Sequence, residues 1–292
     1  LFPSVIGNID GAFRYMRNYP YQCWEQRLTK AAMASAYLRL QDYFEEALDW
    51  PEATTLVDET LAAAVNFQAP NGGMSYWIAN NRYVSPYLSA YTALALQWLR
   101  RDGYLIPQPV EQRLHAYLST MLKENVFPTF YNKGMAASVR ALALLALVKS
   151  DQLDAADIER YWPHFERMDL FAKAHFLQAA TLTRSDPLVR QQALSRILSF
   201  ANQSGGKFQF SEPSFAGQKY LLASPLRSNC GILSALLTEN EVVAKKAKTN
   251  PSADDEHEQT ASSDNADSIK DIPFKLVRSI TQARGQRDHW EN

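Results

Sequence analysis

Cysteine, glycine and net charge are all scarce in this sequence of 292 residues, and each shortage excludes a class of protein. Two cysteines cannot form the disulfide framework of a small secreted domain, and a chain this long buries enough surface to fold without one. Thirty basic against 31 acidic residues leave a formal net charge of -1, which argues against nucleic acid as a partner. The 11 glycines and 14 prolines are too few for a fold that turns every ~8–12 residues, so long helices are favoured.

Long apolar runs are also missing. The best stretch, 135–148, is interrupted by Arg140, and none reaches the roughly 18–20 residues that span a bilayer. The sequence begins with Leu1 and shows no basic and apolar signal segment. We therefore expect a piece of a longer chain, with any export signal upstream of it.

Apolar residues recur at helical spacing through most of the chain. Ala31, Ala34, Tyr37 and Leu38 follow the i, i+3, i+4 pattern of one buried helix face. The same pattern predicts helices at 2–17, 51–67, 85–101, 109–123, 135–149, 169–182, 186–201, 225–237 and 272–283. Three of these begin with a capping side chain before a proline, at Ser85-Pro86, Asp186-Pro187 and Ser224-Pro225. No alternating run is long enough for a real sheet, so the sequence predicts an all-α fold.

Two other features concern the organisation of the chain. Segment 67–77 is echoed by 200–210, since each closes a helix, turns on Gly-Gly and then presents aromatic residues. Repeated helix hairpins with matching loops suggest a closed or curved helical array, although two helix ends can also be alike by chance. Residues 241–271 lose aromatics and gain Ser, Asp, Asn, Lys and Glu, which predicts a disordered insertion or loop.

The segment Tyr19-Pro-Tyr-Gln-Cys-Trp-Glu-Gln-Arg27 carries the most chemical information. A cysteine three residues before a glutamine, at the start of a helix, brings a thiol and a carboxamide within reach of each other. We expect the helix N-terminus to lower the pKa of Cys23. Attack of its thiolate on the Gln26 carboxamide would expel ammonia and leave an internal thioester, which survives only where water is excluded.

This segment is similar to the Cys-x-Glu-Gln thioester signature of the alpha-2-macroglobulin and complement family, in its bacterial form with a preceding Tyr-Pro-Tyr. The loop from Gly72 to Trp77 and the helix start at Tyr87 resemble the next landmark of that family's thioester domain. The similarity covers nearly the whole chain. It implies that 1–292 is a fragment of a thioester domain, an alpha/alpha toroid of helical hairpins whose last helices would lie beyond residue 292.

The resemblance also implies a function. A protease cleaves a bait region elsewhere in the full protein, and the exposed thioester acylates a lysine of that protease. The protein would be a single-use inhibitor rather than an enzyme. Cys23 and Gln26 would form the thioester, and Glu25 occupies the motif's acidic position without a clear role. Possible aromatic shielding of the bond would come from Tyr19, Tyr21, Trp24, Tyr76 and Trp77, although the bulk of Trp24 could equally serve packing alone.

Location and partners follow from the same resemblance. The bacterial form implies the periplasm, inner-membrane attachment through parts outside this fragment, contact with other macroglobulin domains of the same chain, and possible partnership with a penicillin-binding protein. The complement branch uses a histidine to transfer the acyl group to hydroxyls. No histidine lies in 123–134, where we expect that position, and His115 comes earlier. This favours direct attack by amines.

Other interpretations remain open. Cys23 could be a buried apolar residue in an inert interaction module, or it could form a disulfide with Cys230. Cys230 itself, lacking Glu and Gln companions, is expected to pack in the core. A toroidal enzyme acting on a polysaccharide or isoprenoid would need two acidic residues converging from different helices, and the sequence identifies no such pair.

Several apparent sites do not qualify. Glu45 and Glu46 are adjacent, so on a helix they point about 100° apart and cannot flank one bond. The segment 254–257, Asp-Asp-Glu-His, lies in a low-complexity stretch that lacks the rigidity a metal site needs. Neither a metal nor a cofactor is predicted.

Overall fold

The computed structural model describes residues 10–43, 49–204, 207–213, 221, 223–249 and 263–282. Most of these residues are helical, which confirms the all-α class. The chain divides into two compact units. Of the described residues, unit 1 holds those up to Asn132 together with Leu142–Gln152, and unit 2 holds Lys133–Ala141 and those from Leu153 onward. The single-domain organisation and the toroid stay predictions.

Unit 1 is built around one central helix. Its helices are α1 (Asp10–Arg17), α2 (Trp24–Leu40), α3 (Ala53–Ala63), α4 (Pro86–Arg101) and α5 (Gln108–Glu124), with 3-10 turns at Gln41–Tyr43, Ala64–Phe67 and Asn81–Tyr83. Helices α1, α3 and α4 each pack against α2, and α5 packs against α4. Helix α2 is therefore held by three helices of the same unit.

The core of unit 1 follows from the apolar pattern of these helices. Helix α2 buries Trp24, Leu28, Ala31 and Ala34 along one face, as its spacing predicts. Helix α4 is buried over most of its circumference because Ala and Leu occupy nearly all sides of it. Phe13 of α1 packs with residues of α2 and α3 in a further cluster.

Unit 2 is organised around α8. Helix α6 (Lys133–Val148) contributes its residues 133–141 to this unit. The other elements are α7 (Ala155–Glu159), a 3-10 turn at Trp162–Arg167, α8 (Leu170–Thr183), α9 (Pro187–Leu198), β1 (Ala201–Ser204), β2 (Lys207–Phe210), α10 (Pro225–Thr249) and α11 (Ser263–Gln282). Helices α7, α9 and α10 pack against α8, while α11 packs against α10 and β2. None of the helices within the described residues is both long and apolar enough to cross a membrane.

The predicted helix starts are confirmed by their caps. The side chain of Ser85 accepts from the Leu88 N–H at 3.2 Å, that of Asp186 from the Leu188 N–H at 2.8 Å, and that of Ser224 from the Arg227 N–H at 3.2 Å. These contacts satisfy backbone donors that the first helical turn leaves without intrahelical partners.

Two expectations about secondary structure are wrong. A two-stranded antiparallel hairpin does form, with Ala201 opposite Phe210 and Ser204 opposite Lys207. The predicted loop over 241–271 is also incorrect for much of its length, because α10 continues to Thr249 and α11 already begins at Ser263. Alanine, lysine and glutamate propagate a helix well once it is nucleated by a packed segment, and the polar composition concealed this. Residues 250–262 lie outside the described part of the chain.

Each of the two Gly-Gly segments closes on itself through the same kind of backbone hydrogen bond. The Phe67 carbonyl accepts from the Ser75 N–H at 3.0 Å, and the Phe200 carbonyl accepts from the Ser211 N–H at 3.2 Å. Each segment thus folds back on the helix end that precedes it. The first forms a single bridge, Gln68 to Met74, and the second forms the full hairpin.

Candidate functional site

Cys23 and Gln26 meet at the amino end of α2. Cys23 is the extended residue that immediately precedes the helix, with φ -65° and ψ 164°. Its backbone N–H donates to Gln26 Oε1 at 3.2 Å, and its thiol faces the backbone N–H of Gln26. The carboxamide is thereby folded back over the cysteine. The structure brings the two side chains of the expected thioester into the same turn.

Burial determines the protonation of Cys23. The residue is only 6% exposed, and loss of solvent raises the pKa of its thiol. The backbone N–H groups of Gln26 and Glu25 lower the pKa, whereas the negative charge of Glu25 raises it further. The expectation that the helix N-terminus would lower the pKa is therefore wrong in its net direction, because desolvation exceeds the effect of the N–H groups.

Glu25 is half-buried beside this turn. Its Oε1 accepts from Thr29 Oγ1 at 3.1 Å, and the Thr29 hydroxyl lies 2.7 Å from the Tyr91 hydroxyl of α4. These contacts hold the carboxylate along α2. Its charge contributes to the raised pKa of Tyr19 and of Tyr76, so it acts on both sides of the cysteine.

The tyrosines before Cys23 form an aromatic cluster. The Tyr19 ring lies 5.4 Å from that of Tyr15 and 5.6 Å from that of Tyr21, measured between centroids. Desolvation raises the pKa of Tyr19, with smaller contributions from Tyr15, Glu25, Tyr21 and Cys23. Tyr19 is half-buried, while Tyr21 is 64% exposed. Of the two, Tyr19 is the partly enclosed neighbour of the cysteine.

Trp24 serves as an anchor in the core of unit 1. Its ring is fully buried, stacks on Phe67 with centroids 5.2 Å apart, and donates from Nε1 to Thr92 Oγ1 at 2.9 Å. The ring therefore packs in the core, while shielding of the thioester by Trp24 stays a prediction. Its backbone N–H also donates to the Tyr76 carbonyl at 2.9 Å, which ties the Gly-Gly loop to the start of α2.

The loop that carries Tyr76 and Trp77 depends on Gly72. This residue has φ +90°, and a Cβ there would lie 2.2 Å from the Arg113 carbonyl oxygen. Arg113 Nη2 in turn donates to the Ala69 carbonyl at 2.7 Å. The close approach of α5 thus fixes the loop, which leaves Trp77 62% exposed and Tyr76 partly enclosed.

Sequence reasoning missed a group of tyrosine hydroxyls behind Tyr76. Tyr76 and Tyr131 both hydrogen-bond to the Ser85 side chain, and Tyr117 bonds to Ser89. Burial raises the pKa of all three tyrosines, that of Tyr117 to about 12. No local pattern could have revealed the group, because its members come from separate loops and helices.

His115 belongs to a polar network between α4 and α5. Its Nε2 lies 3.3 Å from Ser150 Oγ and 3.8 Å from Glu111 Oε1, while Glu111 also accepts from Gln97 and Arg100. Serine and carboxylate face the same ring nitrogen. A Ser-His-acid triad needs them on opposite nitrogens, so this geometry does not support hydrolase chemistry.

Two carboxylates do come together in unit 2, at the start of α8, but they do not converge from two different helices as an enzyme of this kind would require. Asp169 accepts from the Ala172 N–H at 2.7 Å, and both carboxylate oxygens of Glu212 lie 3.0 Å from the Leu170 nitrogen. Burial and the charge of Asp169 raise the pKa of Glu212 to about 6, although the Leu170 N–H and the charge of Lys173 lower it. Both carboxylates are occupied in capping the helix. We therefore assign them a structural role.

Cys230 is exposed, so its predicted place in the core is wrong. It lies on the outer side of α10, whose buried face is carried by Ile232, Ala235 and Leu236. Both cysteines are free thiols, and the alternative disulfide is not formed. Within the described residues, no group of three acidic, cysteine or histidine side chains could hold a metal ion. Glu45, Glu46 and segment 254–257 lie outside those residues.

We compared the sequence and the structure with those of known proteins. No protein-family model and no curated protein matches the sequence. Native Escherichia coli alpha-2-macroglobulin, in a crystal structure running from domain MG7 to the C-terminus, matches with a TM-score of 0.66 and 19% identity over 94% of this chain and 42% of that one. The chain has the fold of a bacterial alpha-2-macroglobulin segment.

Further structures of bacterial alpha-2-macroglobulins match the same fold. The native E. coli protein seen by cryo-electron microscopy matches with a TM-score of 0.66 and 20% identity over 95% of this chain. Salmonella alpha-2-macroglobulin reacted with methylamine matches with a TM-score of 0.63 and 17% identity over 93% of this chain. In both, the match spans 17% of the known chain. Trypsin-activated and porcine-elastase-activated forms of the E. coli protein also match.

Proposed function

We propose that this chain is the thioester domain of a bacterial alpha-2-macroglobulin-like protein and that it captures proteases covalently. The observation that carries the proposal is the placement of Cys23 and Gln26 in one turn at the start of α2, where the Gln26 carboxamide accepts from the Cys23 backbone N–H and the thiol faces the Gln26 N–H. The shared fold supports it, because the matched proteins include forms activated by trypsin and elastase and one reacted with methylamine.

The chemistry runs in two steps. First, the Cys23 thiol gives up its proton and its sulfur attacks the Gln26 carboxamide carbon. The carbon–nitrogen bond breaks, the nitrogen takes up that proton and leaves as ammonia, and a thioester forms. Later, an unprotonated lysine amine of the target attacks the same carbon. The carbon–sulfur bond breaks, an amide forms, and the amine proton passes to the released Cys23 thiolate. The bond is consumed in capture, so the domain acts once.

Burial of Cys23 would protect the thioester until activation. A thiol whose pKa is raised is a poorer leaving group, and its enclosed surroundings limit the access of water. A rearrangement that exposes this turn would remove both restraints together. On one side of this turn the half-buried Tyr19 lies close to Cys23, which fits its predicted place in an aromatic shield.

The wider setting belongs to the same proposal. Bait cleavage, the neighbouring macroglobulin domains, a periplasmic location and membrane attachment would concern the full protein, of which this chain would form a small part. Attack by amines, without transfer through a histidine, is the acylation route that we propose.

Mass spectrometry of the purified protein before and after methylamine tests the proposal. We expect an initial mass lighter by one ammonia, then methylamide at Gln26 and release of the Cys23 thiol. Cys23→Ala and Gln26→Glu should abolish the uptake while circular dichroism stays helical. Cys230→Ala, which removes the exposed cysteine, is the matched control and should react like the wild type. Equal labelling of Cys23→Ala and wild type would overturn the proposal.

One observation favours an alternative. The contacts between Cys23 and Gln26 are those of a helix capping box, in which residues at these positions satisfy each other's backbone N–H groups. In an inert interaction module the segment would serve only as this cap. Freshly purified full-length protein would then have full mass, a free Cys23 thiol and an unmodified Gln26.

A further inference from the structure

Lysine is nearly absent from the first part of this chain, although arginine is not. Residues 1–122 contain eight arginines and one lysine, Lys30. A guanidinium stays protonated and does not accept an acyl group, whereas an unprotonated lysine amine does. Around a thioester this composition leaves few internal competitors for the acyl group, and within residues 1–122 Lys30 is the exception.

That exception lies one helical turn after the acyl carbon. Gln26 and Lys30 are i and i+4 on α2, and side chains at this spacing are neighbours on one face, with Cβ atoms about 5–6 Å apart. Helical side chains lean toward the N-terminus, so Lys30 covers the turn that contains Gln26. The Gln26 carboxamide is itself folded back toward Cys23.

Within the described part of the chain, one hydrogen bond restrains the amine. Lys30 Nζ donates to the Arg17 carbonyl at the end of α1, at 2.8 Å. That hydrogen bond directs the amine toward α1. Helix α1 is a short element that packs on α2, so its displacement would release the amine beside Gln26.

We propose that Lys30 is an internal acyl acceptor that ends the reactivity of the exposed thioester; this rests on the thioester proposed above. Once the contact with Arg17 is lost, the unprotonated Lys30 amine attacks the Gln26 carbonyl carbon. The bond to Cys23 sulfur breaks, a Gln26–Lys30 amide forms, and the amine proton passes to the Cys23 thiolate. The closeness of the Lys30 amine to the Gln26 carbonyl carbon favours this intramolecular step. A lysine of a target protease must therefore react before it.

The test uses the protein purified with its thioester, activated in two parallel samples, with and without methylamine. Without amine, we expect a free Cys23 thiol and a branched tryptic peptide. In that peptide, cleavage after Lys30 is blocked, and the two parts separated by cleavage after Arg27 remain joined. Lys30→Arg keeps the charge and a donor for the Arg17 carbonyl, and it should lose the branched peptide entirely. Lys123→Arg, at the exposed end of α5, should retain it.

The outcomes separate the two proposals. Hydrolysis of Gln26 to Glu without any branched peptide, while the parallel sample forms methylamide, would overturn the role of Lys30 and leave the thioester standing. A branched peptide that persists in Lys30→Arg would also overturn it. Failure of both samples to modify Gln26 would overturn the thioester and this inference together.

Discussion

Gly72 and Gly103 show how surroundings determine the importance of a single residue. Both have positive φ, of 90° and 97° respectively. A Cβ on Gly72 would lie 2.2 Å from the Arg113 carbonyl oxygen, whereas no described atom lies within 4 Å of a Cβ on Gly103. Only Gly72 therefore combines left-handed backbone with a close approach of another helix.

We predict that Gly72→Ala destabilises unit 1 more than Gly103→Ala does. The second change should cost about 1–2 kcal/mol for left-handed strain. The first adds a backbone clash of about 1–3 kcal/mol. Urea unfolding followed by circular dichroism measures both free energies. Equal losses for the two variants would show that the contact with Arg113 relaxes without cost.

Cys23 illustrates a second point at this scale. Its position before a helix is readable from the sequence, but the sign of its pKa shift is not. The N–H groups of the helix start lower the pKa and burial raises it, so the net direction depends on how deeply the fold encloses the thiol.

At the scale of elements, the helix starts were the most predictable feature. Ser85, Asp186 and Ser224 cap helices where the sequence indicates, because a cap is a contact between residues two or three apart. Strands β1 and β2 and the extension of α10 were missed. Strand β2 packs against α11, which is distant in sequence, and the extension of α10 propagates from a helix that packs against α8.

Glu212 links the segment after β2 to the start of α8, and we predict that this link depends on pH. Its pKa in the fold, about 6, lies above the ordinary value of 4.5. Between these values the folded state binds more protons than the unfolded state, so the contribution of Glu212 to stability falls as pH rises through that window.

The measurement is the free energy of unfolding of wild type and Glu212→Gln between pH 4.5 and 6.5. The variant should lack the Glu212 part of the decline, so its curve should fall less steeply with pH. Glu59→Gln, which removes an exposed carboxyl on α3, is the control and should leave the slope unchanged. Parallel curves for wild type and Glu212→Gln would contradict the prediction.

At the scale of the whole molecule, this chain covers only a small part of the proteins that it matches. It spans 17% of full-length E. coli alpha-2-macroglobulin. Taken by itself, the chain leaves Tyr21 and Trp77 64% and 62% exposed, so two of the five predicted shielding residues face solvent. We expect further parts of a full protein to complete the cover.

We predict that a thioester decays faster in residues 1–292 alone than in the full-length protein. In residues 1–292, thiol titration over time on a Cys230→Ala background measures the decay, because Cys23 is then the remaining cysteine. In the full-length protein, the mass of the tryptic peptide that contains Gln26 is followed over the same time. Mass spectrometry distinguishes hydrolysis at Gln26 from a thioester that never formed. Equal lifetimes in the two proteins would show that unit 1 excludes water without help.

The sequence alone determined the helical class, the helix caps and the spacing of Cys23 and Gln26, because each depends on residues within one or two turns of each other. Only the tertiary structure decided the burial that raises the pKa of Cys23 and the tyrosine group around Ser85. These arise from contacts between segments separated by tens of residues. The hydrogen bond from Lys30 to the Arg17 carbonyl also depends on tertiary structure, because it forms only when α1 packs on α2.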